Sequence, residues 1–104
     1  MTMEYQKALK TEEVAEGEMR SVELGGKIVT IVHSGKDFFA FDDTCSHKQC
    51  SLSGGTLEGV EVICPCHGGK FNVKTGEAAA LPAVAPIKTY PVMVEDNTIK
   101  ICLT

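Results

Sequence analysis

Residues 44–71 read TCSHKQCSLSGGTLEGVEVICPCHGGKF. Cys45-Ser46-His47 opens this stretch, sixteen residues follow, and Cys64-Pro65-Cys66-His67 comes next. Each motif offers one thiol and one imidazole at a spacing short enough for a single tight loop to aim both at one centre. Two such loops can grip a metal site between their tips.

The donor set admits two kinds of centre. Two Cys and two His can hold a tetrahedral zinc ion, but zinc fingers usually pair Cys with Cys and His with His. Here each loop supplies one of each. A 2Fe–2S cluster explains that arrangement, with both thiolates on one iron and both imidazoles on the other. Neutral imidazoles leave such a cluster less negative and raise its potential to roughly -150 to +300 mV.

Outward from this stretch the chain reads as short strands. Tyr5 to Leu9 is a candidate first strand. Met19 to Leu24 alternates apolar and polar residues, Gly25-Gly26 suits a hairpin turn, and Lys27 to His33 (KIVTIVH) is β-branched. Ser34 to Asp37 turns again into Phe38 to Asp42, which makes a three-stranded meander. Near the end, Ile87 to Glu95 and Thr98 to Leu103 flank Asp96-Asn97 as a further hairpin. Pro91 lies inside the first of these runs, so that strand belongs at an edge or carries a bulge. Thr11 to Glu16 offers one helical turn with Thr11 as its cap. Residues 44–86 differ from both flanks: they are rich in Gly, Pro, Ser, Cys and His and hold four of the five cysteines. The reading is one domain, 1–104, with a base at 1–43 and 87–104 and a cluster-bearing part at 44–86.

The composition excludes several classes. Hydrophobic residues make up 43% and charged residues 23% of 104, which are ordinary globular values. A net charge of -4 shows no basic footprint for nucleic acid. Residues 1–43 hold nine acids and five bases, and the remainder holds five of each. An acidic face can steer a basic partner, though a solvated surface accounts for it equally. No apolar run approaches the roughly 20 residues of a membrane span, and the start lacks a secretion signal, so a cytoplasmic location is the default expectation.

The motifs and their surroundings resemble the Rieske family. C-x-H-x16-C-x-x-H matches its signature, and Cys64 to Phe71 (CPCHGGKF) resembles its second cluster loop. Asn72 to Glu77 resembles the T-G-E turn that follows, and Pro82 to Val92 resembles the proline-bearing third loop and the strand after it. Ala40 to Thr44 resembles the strand leading into the first loop. The resemblance implies an all-β Rieske fold: an antiparallel β-sandwich or barrel-like base carrying a small inserted cluster-binding subdomain of two β-hairpin loops. It implies one 2Fe–2S cluster, with Cys45 and Cys64 on the buried iron and His47 and His67 on the outer iron through Nδ1. Gly68 and Gly69 would let backbone N–H groups approach the sulfides, while Leu52, Leu81, Pro82 and Val84 would shield the cluster. Cys50 and Cys66 occupy the positions where the cytochrome bc members carry a disulfide between the loops, a bond that stabilises by roughly 2–4 kcal/mol when unstrained. Two free thiols are the alternative, since cytosolic disulfides are uncommon. Gly69 and Phe71 stand where that group places Ser and Tyr hydroxyl donors, which points to an intermediate potential.

The implied function is a soluble one-electron carrier, not itself an enzyme. It takes electrons from a donor reductase and delivers them to a terminal oxidoreductase, as a monomer. One alternative is a fixed redox subunit, such as a nitrite reductase small subunit or an oxygenase component. Another, of a different class, is a structural zinc module. Oxidised iron makes the distal N–H of each ligand histidine more acidic. The potential is therefore expected to stay flat at low pH and to fall by about 59 mV per pH unit per proton once the oxidised form deprotonates. Voltammetry across pH checks this, and a potential constant into strong alkali overturns it. Cys102 reads as a small buried apolar residue, His33 as a strand-end or surface histidine, and Phe38, Phe39, Phe41 and Tyr90 as core and edge contacts.

Overall fold

The computed structural model describes residues 4–43, 51–65, 69–80 and 86–103. In chain order the strands are β1 (Tyr5–Lys10), β2 (Met19–Leu24), β3 (Lys27–Ser34), β4 (Asp37–Asp42), β5 (Thr56–Glu58) and β6 (Glu61–Ile63). They continue as β7 (Lys70–Asn72), β8 (Ala78–Ala80), β9 (Thr89–Tyr90), β10 (Val92–Glu95) and β11 (Thr98–Cys102). Helical backbone among the described residues is limited to two 3-10 turns, Thr11–Glu13 and Leu52–Gly54. Three antiparallel sheets result, in the orders β1-β11-β10, β2-β3-β4-β9 and β5-β6-β7-β8. The antiparallel fold expected from the alternating pattern is the one observed.

The hairpin turns follow from residue chemistry. Gly25 and Gly26 have φ of +55° and +81°, and Asp96 and Asn97 have +51° and +61°. Two consecutive left-handed residues match the right-handed strand twist, and these residue types tolerate them.

The meander β2-β3-β4 packs on both faces, so the alternation in β3 does not separate core from solvent. Val29 and Ile31 join Val14, Ala40, Ile99 and Ile101 in one apolar core. Val32, with Phe41, joins Leu52, Val62, Phe71 and Val73 in a second. Alternate residues of β3 thus feed two cores, and the sheet is a middle layer between β1-β11-β10 and β5-β6-β7-β8. Thr30 is fully buried within this apolar run.

Two local expectations need correction. The run 87–95 is not one strand. Tyr90 pairs with Ala40 and Val92 with Ile101, so the chain passes from the middle sheet to the outer one at Pro91. Proline lacks the N–H that would continue the first ladder. Its carbonyl accepts from Cys102 N–H at 3.1 Å, and both pieces are edge strands. At the first 3-10 turn the cap position is Lys10, not Thr11: Lys10 N–H donates to Glu13 Oε1 at 3.0 Å. Thr11 N–H instead donates to the Asn97 carbonyl at 2.9 Å.

Candidate metal centre

Cys64 follows β6 and is 2% exposed. Leu52, Val62 and Phe71 belong to the same apolar core. A thiolate there is shielded from water on the protein side, as an inner ligand requires. Gly69 is also buried, and its carbonyl accepts the Cys64 N–H at 2.7 Å. That bond closes the neck of the second motif loop. Leu52, the predicted shield, is fully buried in the turn after the first loop.

The first loop has a comparable neck. Leu52 N–H donates to the Asp43 carbonyl at 2.6 Å, which holds the two residues flanking segment 44–51 together. Gly55 brings the two necks together. A Cβ on Gly55 would collide with the Ile63 carbonyl oxygen and lie 3.1 Å from the Pro65 ring. Only a residue without a side chain permits that approach. A third neck adjoins the second: Lys70 pairs with Ala80, and Ile87 N–H donates to Gly76 O at 2.8 Å. Both ends of segment 64–69 and the start of segment 80–87 therefore lie on the sheet β5-β6-β7-β8, while segment 44–51 begins where β4 leaves the middle sheet and ends at the Leu52 turn.

Asp43 organises the first neck. Its Oδ1 accepts from Thr30 Oγ1 at 2.6 Å and from Ser53 N–H at 2.9 Å. Burial pushes its carboxyl up, but hydrogen bonds from Thr30, Ser53 and Ser51 outweigh this and hold it below the usual carboxylate range. Its own N–H donates to the Ile28 carbonyl at 3.1 Å, so the residue is fixed on β3 through both backbone and side chain.

Of the predicted site residues, Cys64, Gly69 and Leu52 converge. Cys45, His47, Cys50, Cys66, His67, Gly68, Leu81, Pro82 and Val84 lie outside the described residues. The described scaffold fits a 2Fe–2S group on two counts. A buried thiol emerges at a closed neck, and the neck of the Cys45/His47 loop is held against it. His33 is set apart from this centre: its Nδ1–H donates to the Val14 carbonyl at 2.9 Å, and its ring stacks on Phe38 at 4.1 Å. Cys102 is fully buried in β11. The sequence reading missed Asp43, Thr30 and Gly55. One signal was available, a lone threonine inside the apolar run Val29 to Val32.

A model of the Rieske [2Fe-2S] domain matches residues 4–91. The ferredoxin component of the p-cumate 2,3-dioxygenase system of Pseudomonas putida is 45% identical over 91 residues, covering 86% of this chain and 77% of that protein. The ferredoxin component of the naphthalene 1,2-dioxygenase system of Pseudomonas putida is 36% identical over 104 residues, 100% of both. A solved complex of reduced oxygenase and oxidized ferredoxin in carbazole 1,9a-dioxygenase contains a chain 33% identical to this one. The two superpose with a TM-score of 0.90 over 97% of this chain and 94% of that chain.

Proposed function

The chain belongs to the Rieske [2Fe–2S] domain family and carries that family's cluster, and on this premise we propose that Cys45 and Cys64 hold one iron and His47 and His67 the other. The chain is an electron-transfer component, working between a reductase and the oxygenase of a dioxygenase system. The observation that carries this reading is similarity along the whole chain to a ferredoxin component.

Bound between the loops, the cluster supplies one-electron chemistry. The protein's part is positioning and shielding. Cys64 sits in the apolar core with Leu52 and Phe71, which keeps water from the thiolate side. His47 and His67 belong on the outward side, where imidazole edges give a partner a short route for the electron. Phe71 is fully buried in that core and carries no hydroxyl to donate, which favours a potential below that of cytochrome bc relatives. Residues 44–86 form the cluster-bearing part on a base of 1–43 and 87–104, and a carrier of this kind works as a cytoplasmic monomer. Among the described residues no helix is long and apolar enough to cross a membrane.

The test is anaerobic mixing of the dithionite-reduced chain with the oxidised oxygenase of a naphthalene dioxygenase system, followed optically. Reoxidation of this chain with matching reduction of the oxygenase is expected. A chain that holds its cluster but delivers no electrons overturns the carrier role. A colourless preparation with one zinc per chain overturns the cluster itself.

Cys50 and Cys66 form a disulfide that clamps the two loops in this proposal. Their sequence positions support it, as does the contact of Gly55 with Ile63 and Pro65, which holds the necks of their loops together. Alkylation of the unfolded, unreduced chain is expected to leave Cys50 and Cys66 unlabelled in peptide mass spectra. Labelling of both overturns the pairing.

A further inference from the structure

Asp43 and Thr30 are the buried polar side chains among the described residues, at 5% and 0% exposed. They are bonded to each other at 2.6 Å. The ion pairs found among the described residues are Lys70–Glu58 and Lys100–Glu95, and the partners those residues give the Asp43 carboxylate are hydrogen-bond donors, Thr30 and Ser53. A buried carboxylate held this way is costly unless each bond is in place. Asp43 therefore has a stricter geometric demand than a loop residue needs for folding alone.

Its bonds point to a single purpose. The carboxylate oxygen binds Thr30 on β3 and Ser53 beyond the first loop, and the Asp43 carbonyl accepts from Leu52. One residue thereby ties both ends of the 44–50 segment to the middle sheet. Cys45 is two residues after Asp43, and His47 is two further on. Without the Oδ1 bonds, Asp43 would keep only its backbone bonds to Ile28 and Leu52 at the start of the segment that carries both donors.

We propose that Asp43, oriented by Thr30, is a positioning residue for the first cluster loop, anchoring both ends of the segment that carries Cys45 and His47. This rests on the ligand assignment given above.

The test compares Asp43→Asn, Asp43→Ala and Thr30→Val in the cluster-loaded protein. Two properties are measured: release of iron to a chelator and the electron paramagnetic resonance spectrum of the reduced form. Asp43→Ala is expected to release iron roughly five- to thirtyfold faster, the factor that follows from losing one or two buried interactions. Asp43→Asn keeps the side-chain shape without the charge. Its Oδ1 can still accept from Thr30 and Ser53, so it is expected to retain the cluster and iron release close to those of the wild type. Thr30→Val keeps the shape of a residue remote from the ligands and is expected to shift the resonance spectrum. In an Asp43→Ala background Thr30→Val is expected to add little, because the two act through one bond. Should Asp43→Ala fail to fold, Thr30→Val decides the matter. An unchanged resonance spectrum and unchanged iron release in Thr30→Val overturn the proposal. A wild-type protein that binds no iron and sulfide overturns the ligand assignment instead.

Discussion

Replacing His67 with serine is expected to yield a protein without the 2Fe–2S visible spectrum, with iron and acid-labile sulfide both lost. Serine offers no imidazole nitrogen in place of the one His67 would supply. Substituting groups that merely support a metal ligand costs about 10–100-fold in affinity, and removing the ligand costs more. The cluster contributes folding free energy, so the melting temperature falls too. The core of Val14, Val29, Ile31, Ala40, Ile99 and Ile101 contains no cluster-loop residue, so the β-sandwich itself should remain folded. His67→Cys provides the contrast: a thiolate in place of imidazole adds negative charge, so a retained cluster should show a lower potential. Optical spectra, iron and sulfide analysis and circular dichroism measure these outcomes. A His67→Ser protein with an unaltered spectrum removes His67 from the ligand set.

Gly55→Val is expected to have the second largest effect, and it needs no cluster ligand to be touched. Gly55 has φ of -91°, so its backbone conformation is open to other residues. What it cannot accommodate is a side chain, because a Cβ would meet the Ile63 carbonyl oxygen. Backbone atoms cannot swing aside as a side-chain tip can, so the two loop necks must separate. Overpacking of this severity costs about 3 kcal/mol. For a domain of this size that is a fall in melting temperature of roughly 10 °C or more. Separating the necks also parts Cys45 and His47 from Cys64 and His67, so cluster content should drop with stability. Gly54→Ala is the control. A Cβ there lies 3.9 Å from the Pro65 ring, an ordinary contact, and the change should stay within about 0.5 kcal/mol. Thermal melts and iron content distinguish the two. Equal behaviour of both variants would show that the necks are not held apart or together at Gly55.

Local chemistry made much of the fold legible. The apolar-polar alternation of Met19–Leu24, the β-branched run from Lys27, and the pairs Gly25-Gly26 and Asp96-Asn97 each encode a strand or turn within a few residues. The identity of the donor atoms was equally local, since thiol and imidazole at short spacing declare metal chemistry wherever they fold. Pro91 announced an edge, because a missing N–H is a property of the residue itself.

Other features arose only when distant segments met. Whether Val29 and Val32 face solvent or two separate cores depends on β11 and on the sheet β5-β6-β7-β8, which pack against β3 from opposite sides. The division of residues 87–95 between two sheets depends on Ala40 and Ile101, each far from Pro91 in sequence. Asp43 looked like one more acid in an acidic half until Thr30 and Ser53 enclosed it. Gly55 looked like half of a flexible glycine pair until Ile63 lay against it. Sequence by itself determined the hairpins of the base and which atoms can bind a metal, because those properties reside in single residues and their near neighbours. Tertiary structure alone decided which polar group is buried and which glycine is obligatory, because burial and close approach belong to pairs of segments and exist only once the chain has closed on itself.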